Sequence, residues 1–303
     1  MLKKYFPTVA ITTIVVTVLL IFIGVIVRAS GAGLGCPDWP KCFDMWIPPT
    51  TAADLPAQFN AEEFNALHTW TEYINRLVGV LVGFLILLTT FFSVSYIKER
   101  KSVFISSFLS LVLVIFQGWL GGQVVQSGLQ PGMISVHMVV AMLILMTLVY
   151  AAWQAVKDNY RFTLMQHHKK ALFYFSIALI GFTLVQIVIG TQVREGIDAV
   201  DQTLERSQWI EQVGLIDDIH RTFSWSVLLT SIGLIYYVKK HNLVSNITKL
   251  SYTIFGLIIL QVLIGVVLVY GGLPPVFQVL HLGVSSLLII SMQLLFLASR
   301  HRR

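Results

Sequence analysis

An all-α membrane protein of eight transmembrane helices, arranged as two tandem pseudo-symmetric four-helix bundles, is the fold this 303-residue sequence predicts. Three features predict it. The composition is 56% hydrophobic and 12% charged, with a mean hydropathy of +0.77, too apolar for one water-soluble core. Eight runs are long enough to cross roughly 30 Å of hydrocarbon at about 20 residues each. Finally, an internal repeat maps the first four runs onto the last four, giving halves at residues 1–160 and 161–303.

The first run, 8–27, is longer than a signal-peptide core and ends in Gly24-Val-Ile-Val-Arg28, which the fifth run repeats as Gly190-Thr-Gln-Val-Arg194. It therefore reads as a retained span. The second run, 74–96, is opened by Glu72-Tyr-Ile-Asn75-Arg76, and the sixth, 219–238, by Asp217-Asp-Ile-His220-Arg221. The third and fourth runs (103–125, 134–156) match the seventh and eighth (250–270, 277–299) without a gap from Gln117 to His137 and from Gln261 to His281. Both stretches contain Gly-Leu-x-Pro, in which glycine allows a turn and proline stops a helix. Gly79-x-x-x-Gly83 and Gly118-x-x-x-Gly122 permit close approach of a neighbouring helix, their ordinary use, or of a flat ligand.

Eight spans put both termini on one side. That side receives 15 of the 21 Lys and Arg, among them Arg161, Arg302 and Arg303, but only Glu99 and Asp158 of the 15 acids. The bias makes it the cytoplasmic side. It also accounts for the pI of 9.3, leaving no reason to invoke nucleic acid; the surroundings are lipid. The connections at 29–71 and 195–218 are long and occupy the same place in their repeats, as lids over an outward-facing site. His167, His168, His241 and His301 fall in basic inner segments and read as solvated.

His137, His220 and His281 lie one or two turns inside the outer boundary, where an ionisable group needs a partner. Imidazoles projecting from facing helices of a bundle suit haem iron, and His220 with His281 form a bis-histidine pair. In the first half Asn75 stands where His220 stands in the second, and an amide is a poor iron ligand. His68 lies seven residues before Asn75, about 10 Å along a continuous helix, too far for the same iron unless the helix breaks or the loop folds back. Glu72, one turn above Asn75, reads as a general base or as a first-turn acid favoured by the helix dipole. Arg76 and Arg221 can hold carboxylates such as porphyrin propionates, or snorkel to headgroups; Arg28 and Arg194 share that ambiguity. Cys36 and Cys42 are the only cysteines and sit in the first outer loop, as a disulfide staple or a redox-active pair.

Taken together these residues resemble the haem A synthase family over essentially the whole chain. The marks are Gly31-Ala-Gly-Leu-Gly-Cys36-Pro-Asp-Trp-Pro-Lys-Cys42, Glu72-Tyr-Ile-Asn75-Arg76, the two Gly-Leu-x-Pro-to-histidine turns and His220-Arg221. The resemblance implies a multi-pass protein of the bacterial inner membrane, with its haem sites toward the outer face. It implies haem b held by His220 and His281 as cofactor, and haem O as substrate in the first half. There a porphyrin methyl group is oxidised to formyl by successive hydroxylations, with Glu72 as the essential acid and His137 as ligand. Haem O synthase and cytochrome oxidase assembly are the implied partners, electrons passing to an unidentified acceptor; monomer and homo-oligomer both stay open. The sequence departs from the common pattern at Asn75, where Glu-x-x is often followed by histidine. It thereby resembles a Glu-x-x-Asn-Arg subgroup and makes His68 the residue to test as replacement ligand. Two other readings are a quinol-linked membrane cytochrome b and a haem transporter or chaperone.

Overall fold

The computed structural model describes residues 2–160, 164–200 and 203–301, with only the backbone at 207. Arg161, Arg302 and Arg303 of the inner basic set lie outside the described residues. Among those described, nine α-helices and short 3-10 turns make up the regular structure, with one isolated bridge between Cys42 and Met45. The helices are α1 (Leu2–Ala29), α2 (Ala66–Ser93), α3 (Lys101–Gln126), α4 (Met133–Val156), α5 (Gln166–Asp198), α6 (Trp209–Val213), α7 (Leu215–Lys240), α8 (Ser245–Tyr270) and α9 (Pro275–Arg300).

Seven of these are long and apolar enough to cross a membrane; α7, the sixth of the eight expected spans, is long enough but not apolar enough. Its interior carries Ser224, Ser226, Thr230 and Ser231, with charges near both ends. Each hydroxyl folds back on its own helix, Ser226 onto the Phe223 carbonyl at 2.6 Å and Thr230 onto the Ser226 carbonyl at 2.6 Å. Polar groups satisfied in this way need no water, so hydropathy alone understates how well α7 tolerates an apolar setting.

Around the first half, α1 packs on α2 and α4, α2 on α3, and α3 on α4; around the second, α5 packs on α7 and α9, α7 on α8, and α8 on α9. The two rings meet where α1 and α4 touch α9 and α4 touches α5. Ile21, Met142, Leu145, Ile187 and Ile289 fill that seam, and the Gln293 side chain donates to the Met146 carbonyl at 2.7 Å. Contact is closest at Gly283, where an added Cβ would lie 2.2 Å from the Phe22 ring. Gly283→Ala forces the rings apart or turns Phe22 out. We expect a loss of about 1–3 kcal/mol, read as a lowered thermal midpoint of the purified protein, as for other overpacked cores.

Both Gly-Leu-x-Pro turns adopt the same backbone. Gly128 and Leu129 have φ of 64° and 63°, Gly272 and Leu273 of 70° and 56°. In each, the leucine amide donates back into the helix it ends, to Val124 at 2.9 Å and to Leu268 at 3.1 Å. Two expectations fail. A Cβ on Gly79, Gly83 or Gly118 would meet nothing within 4 Å, so among the described residues no helix uses their smallness, the flat-ligand use being a separate matter, and Gly122 receives Trp39 of the loop between α1 and α2 instead. At the basic end, His168 and His301 are buried, not solvated: the His168 ring meets the Tyr237 hydroxyl at 2.9 Å and the His301 ring the Tyr160 carbonyl at 3.0 Å.

Candidate functional site

The long connection between α1 and α2, expected as an outer lid, is folded. Cys36 and Cys42 are bonded, and the Asp38 carboxylate accepts from the amides of Phe43 (2.6 Å) and Asp44 (3.0 Å), closing the short ring from inside. Phe43 packs against Phe59 and Phe64, giving the lid its own small core with Tyr73 of α2. Gly35 lies on the first turn of α2 so closely that a Cβ would be 2.4 Å from the His68 carbonyl oxygen.

Beneath the disulfide sits an ion pair between a buried carboxylate and a largely buried guanidinium. Glu72 accepts from the Cys36 amide at 2.9 Å and pairs with Arg76 one turn on at 2.5 Å. Arg76 spends its remaining donors on the lid, reaching the carbonyls of Asp38 (2.8 Å) and Lys41 (2.7 Å). Thr69 adds a hydroxyl bond to the Gly35 carbonyl at 2.8 Å. The two residues that read as base and propionate clamp thus tie the cysteine ring to α2. Every strong acceptor and donor on them has a partner, the condition under which a buried pair is tolerated.

The imidazoles lie inward of the lids, and their setting repeats. Each faces a glycine on the preceding long helix: a Cβ at Gly121 would be 3.4 Å from the His137 ring, at Gly190 3.0 Å from His220, and at Gly265 3.7 Å from His281. Four residues before each glycine a glutamine donates to the carbonyl of the same histidine, Gln117 at 3.0 Å, Gln186 at 2.8 Å and Gln261 at 2.9 Å. Asn75 completes the pattern opposite Gly24, whose Cβ would be 3.7 Å from its amide oxygen, but Leu20 stands where the others have glutamine. The sequence carried this signal as Gln-x-x-x-Gly three times over; only Gln117 and Gln261 stood out in the repeat, and Gln186 was missed.

His220 and His281 face each other across the second half, ring centroids 6.3 Å apart and planes at 68°. Buried ring nitrogens of both, the Nδ1 atoms, have no hydrogen-bond partner, and the same holds for His137 Nδ1 and Asn75 Oδ1. Two metal–nitrogen bonds of about 2 Å plus two ring radii span about 6 Å, so the separation of the rings matches that of two imidazoles on one metal atom. Among the described residues no three His, Cys, Asp or Glu side chains converge as a bare metal site would require. Two imidazoles suit a metal that brings its other ligands with it, as haem iron does.

The other candidates are placed as follows. His68 is on the face of α2 that carries Asn75, nearly two turns closer to the lid, its ring beside Gly31; α2 is unbroken from Ala66 to Ser93, so no helix break brings the two together. Arg221 pairs with Asp217 (2.9 Å) and Asp218 (2.8 Å) and stays half exposed. Arg28 and Arg194 share Asp198, at 3.0 and 2.7 Å, and Glu195 accepts from the Gly132 amide at 3.1 Å. Asp198 and Glu195 therefore clasp the two halves together above the histidines, a role not seen in the sequence. The second outer loop covers its half with α6, Val213 lying against Gly196 and Trp209 joining Leu273.

A family model described as COX15-CtaA, cytochrome oxidase assembly protein, matches residues 7–293. The chain is 25% identical to a Shewanella oneidensis protein named heme A synthase, with 92% of each chain covered. A Flavobacterium johnsoniae protein of the same name is 24% identical over 87% of this chain and 88% of its own. One from Alkalihalophilus pseudofirmus is 27% identical over 61% of this chain and 57% of its own.

Proposed function

The chain belongs to the COX15-CtaA family of cytochrome oxidase assembly proteins, and from that membership and its histidine geometry we propose that it is a haem A synthase. It is an oxidoreductase that converts haem O to haem A for cytochrome oxidase. In this reading the chain crosses a bacterial cell membrane eight times, with α7 as the crossing that hydropathy understates. Residues 1–160 form the substrate half and 161–303 the cofactor half; both termini are cytoplasmic and both lids outside. The excess of Lys and Arg at the end away from the lids supports that orientation.

The observation that carries the assignment is the contrast between halves: a facing His220–His281 pair in one, His137 with Asn75 in the other. His220 and His281 hold haem b. When bound, it supplies a redox centre that takes electrons from the oxidation toward an external acceptor. In the first half His137 meets haem O from α4, while the weaker amide of Asn75 lets the product leave. Glycine stands at 79, 83 and 118, where the second half has Ser224, Leu228 and Val262. Added side chains there would meet open space, which suits a substrate bulkier than the cofactor. Glu72 and Arg76 fix the lid that shuts water from the reacting methyl group, His68 stands at the lid's edge, and Arg221 is the arginine with exposure enough to receive a propionate.

Pigment extraction and mass analysis test the reading. Membranes holding this chain together with a haem O synthase should contain haem A, and membranes with the haem O synthase alone should contain only haem O. Haem O left unchanged beside a folded, haem-loaded protein would point to an electron carrier instead.

A further inference from the structure

Two adjoining cavities, ≈ 540 Å³ and ≈ 340 Å³, open at the basic end, opposite the lids. They follow the seam where α4 of the first ring meets α5 and α9 of the second. Both are bordered by Phe173 and Arg300, and the Arg300 guanidinium lies over the Phe173 ring at 5.4 Å from its centroid. The two therefore form one groove with a cation across its middle. Trp153 and Phe296 wall one side of that cation; Lys169 and Lys170 line the other. Among the described residues no Asp or Glu borders either cavity, and Lys169, Lys170 and Arg300 form no ion pair.

Unneutralised cations at the mouth call for an anion, and the depth of the groove says which kind. Ile177 lies seven residues beyond Lys170, about 10 Å along α5, and the lining is mostly aromatic or aliphatic, with Gln154, Lys157 and His301 among it. A phosphate ion or an acidic peptide satisfies the mouth but leaves that depth unfilled. A phospholipid satisfies both, its phosphate among the cations and its first acyl carbons against the rings.

We infer that this groove binds an anionic phospholipid of the leaflet it faces, and that the lipid joins the two helix rings at the end where no lid does so. The clasp of Arg28, Arg194 and Asp198 links the rings at the lid end; the lipid is its counterpart.

Native mass spectrometry of the detergent-purified chain provides the test, with phosphatidylglycerol, phosphatidylcholine and inorganic phosphate as separate probes. Phosphatidylglycerol should remain bound at stoichiometric level where phosphatidylcholine does not, and excess inorganic phosphate should not displace it. Lys170→Gln with Arg300→Gln should weaken retention by about fivefold per charge removed. Lys98→Gln with Lys101→Gln, basic positions outside the groove, should leave it unchanged. Equal retention of both lipids, displacement by phosphate, or equal weakening in the two double variants would each overturn the inference. Both pairs of substitutions lie on exposed or half-exposed side chains, so elution as a folded monodisperse species serves as their control.

Discussion

Replacing His220 or His281 with alanine should give a folded protein without its resident haem spectrum. The two rings face each other at 6.3 Å with orphaned ring nitrogens, and each stands against a glycine that leaves room for it. Truncating one removes half of the axial ligation and leaves the other imidazole buried without a partner, a state far poorer than the paired one. Since loss of a mere outer-shell partner commonly costs 10–100-fold in metal affinity, loss of a ligand itself should lower the haem affinity by roughly a hundredfold or more, enough to empty the site on purification. A haemochrome assay of haem per protein reads this directly. His137→Ala is the companion variant. It should keep the resident haem, because His137 belongs to the other ring of helices, and still yield no haem A. A His220→Ala or His281→Ala protein with full occupancy would refute the ligand assignment; loss of the resident haem in His137→Ala would refute the division of labour.

The long helices and the turns between them were readable because the repeat is carried by residues with obligatory roles. Gly128-Leu129 and Gly272-Leu273 both take left-handed backbone to end a helix, and a turn so constrained keeps its spelling. The expected sixth span was harder: α7 falls short of the others in apolarity, although its serines and threonines bond to carbonyls three or four residues back, which lowers the cost that a hydropathy average records. The histidines were legible as polar residues in apolar runs. Their glutamine props were less so, because a side chain donating to a backbone carbonyl on another helix has no local sequence signature until three copies are compared. Asp198 and Glu195 were invisible for a different reason. They act between α5 and helices more than 60 residues away in the chain, and nothing in their neighbours announces that. His168 and His301 show the reverse error: basic surroundings implied solvent, yet Tyr237 and the Tyr160 carbonyl cover them. Glu72 combines both lessons, since its position was marked but its partners were not.

Glu72→Ala should abolish haem A formation, and the structure specifies how to tell the reason. Removing the carboxylate leaves Arg76 buried without its counter-ion and the Cys36 amide without its acceptor. Breaking one side of a buried ion pair costs about 3–5 kcal/mol, more than one docked loop withstands, so the lid should come away from α2. Three variants separate this from proton transfer. Glu72→Gln keeps one oxygen, for either the Cys36 amide or Arg76, turns an NH2 donor toward the other, and cannot act as a base near neutrality. Cys36→Ser with Cys42→Ser opens the ring while sparing the carboxylate. Thr69→Ala removes only the hydroxyl bond to the Gly35 carbonyl. If Glu72 holds the lid, Glu72→Gln, with one acceptor left, retains more activity than Glu72→Ala, and the cysteine variant loses most of it. Protease cleavage within 30–65 then rises in the order Thr69→Ala, Glu72→Gln, Glu72→Ala. If Glu72 moves a proton, Glu72→Gln is as inactive as Glu72→Ala while its lid stays protected, and the cysteine variant keeps activity. The geometry favours the first outcome, because both carboxylate oxygens already have partners: one accepts from the Cys36 amide, the other from Arg76.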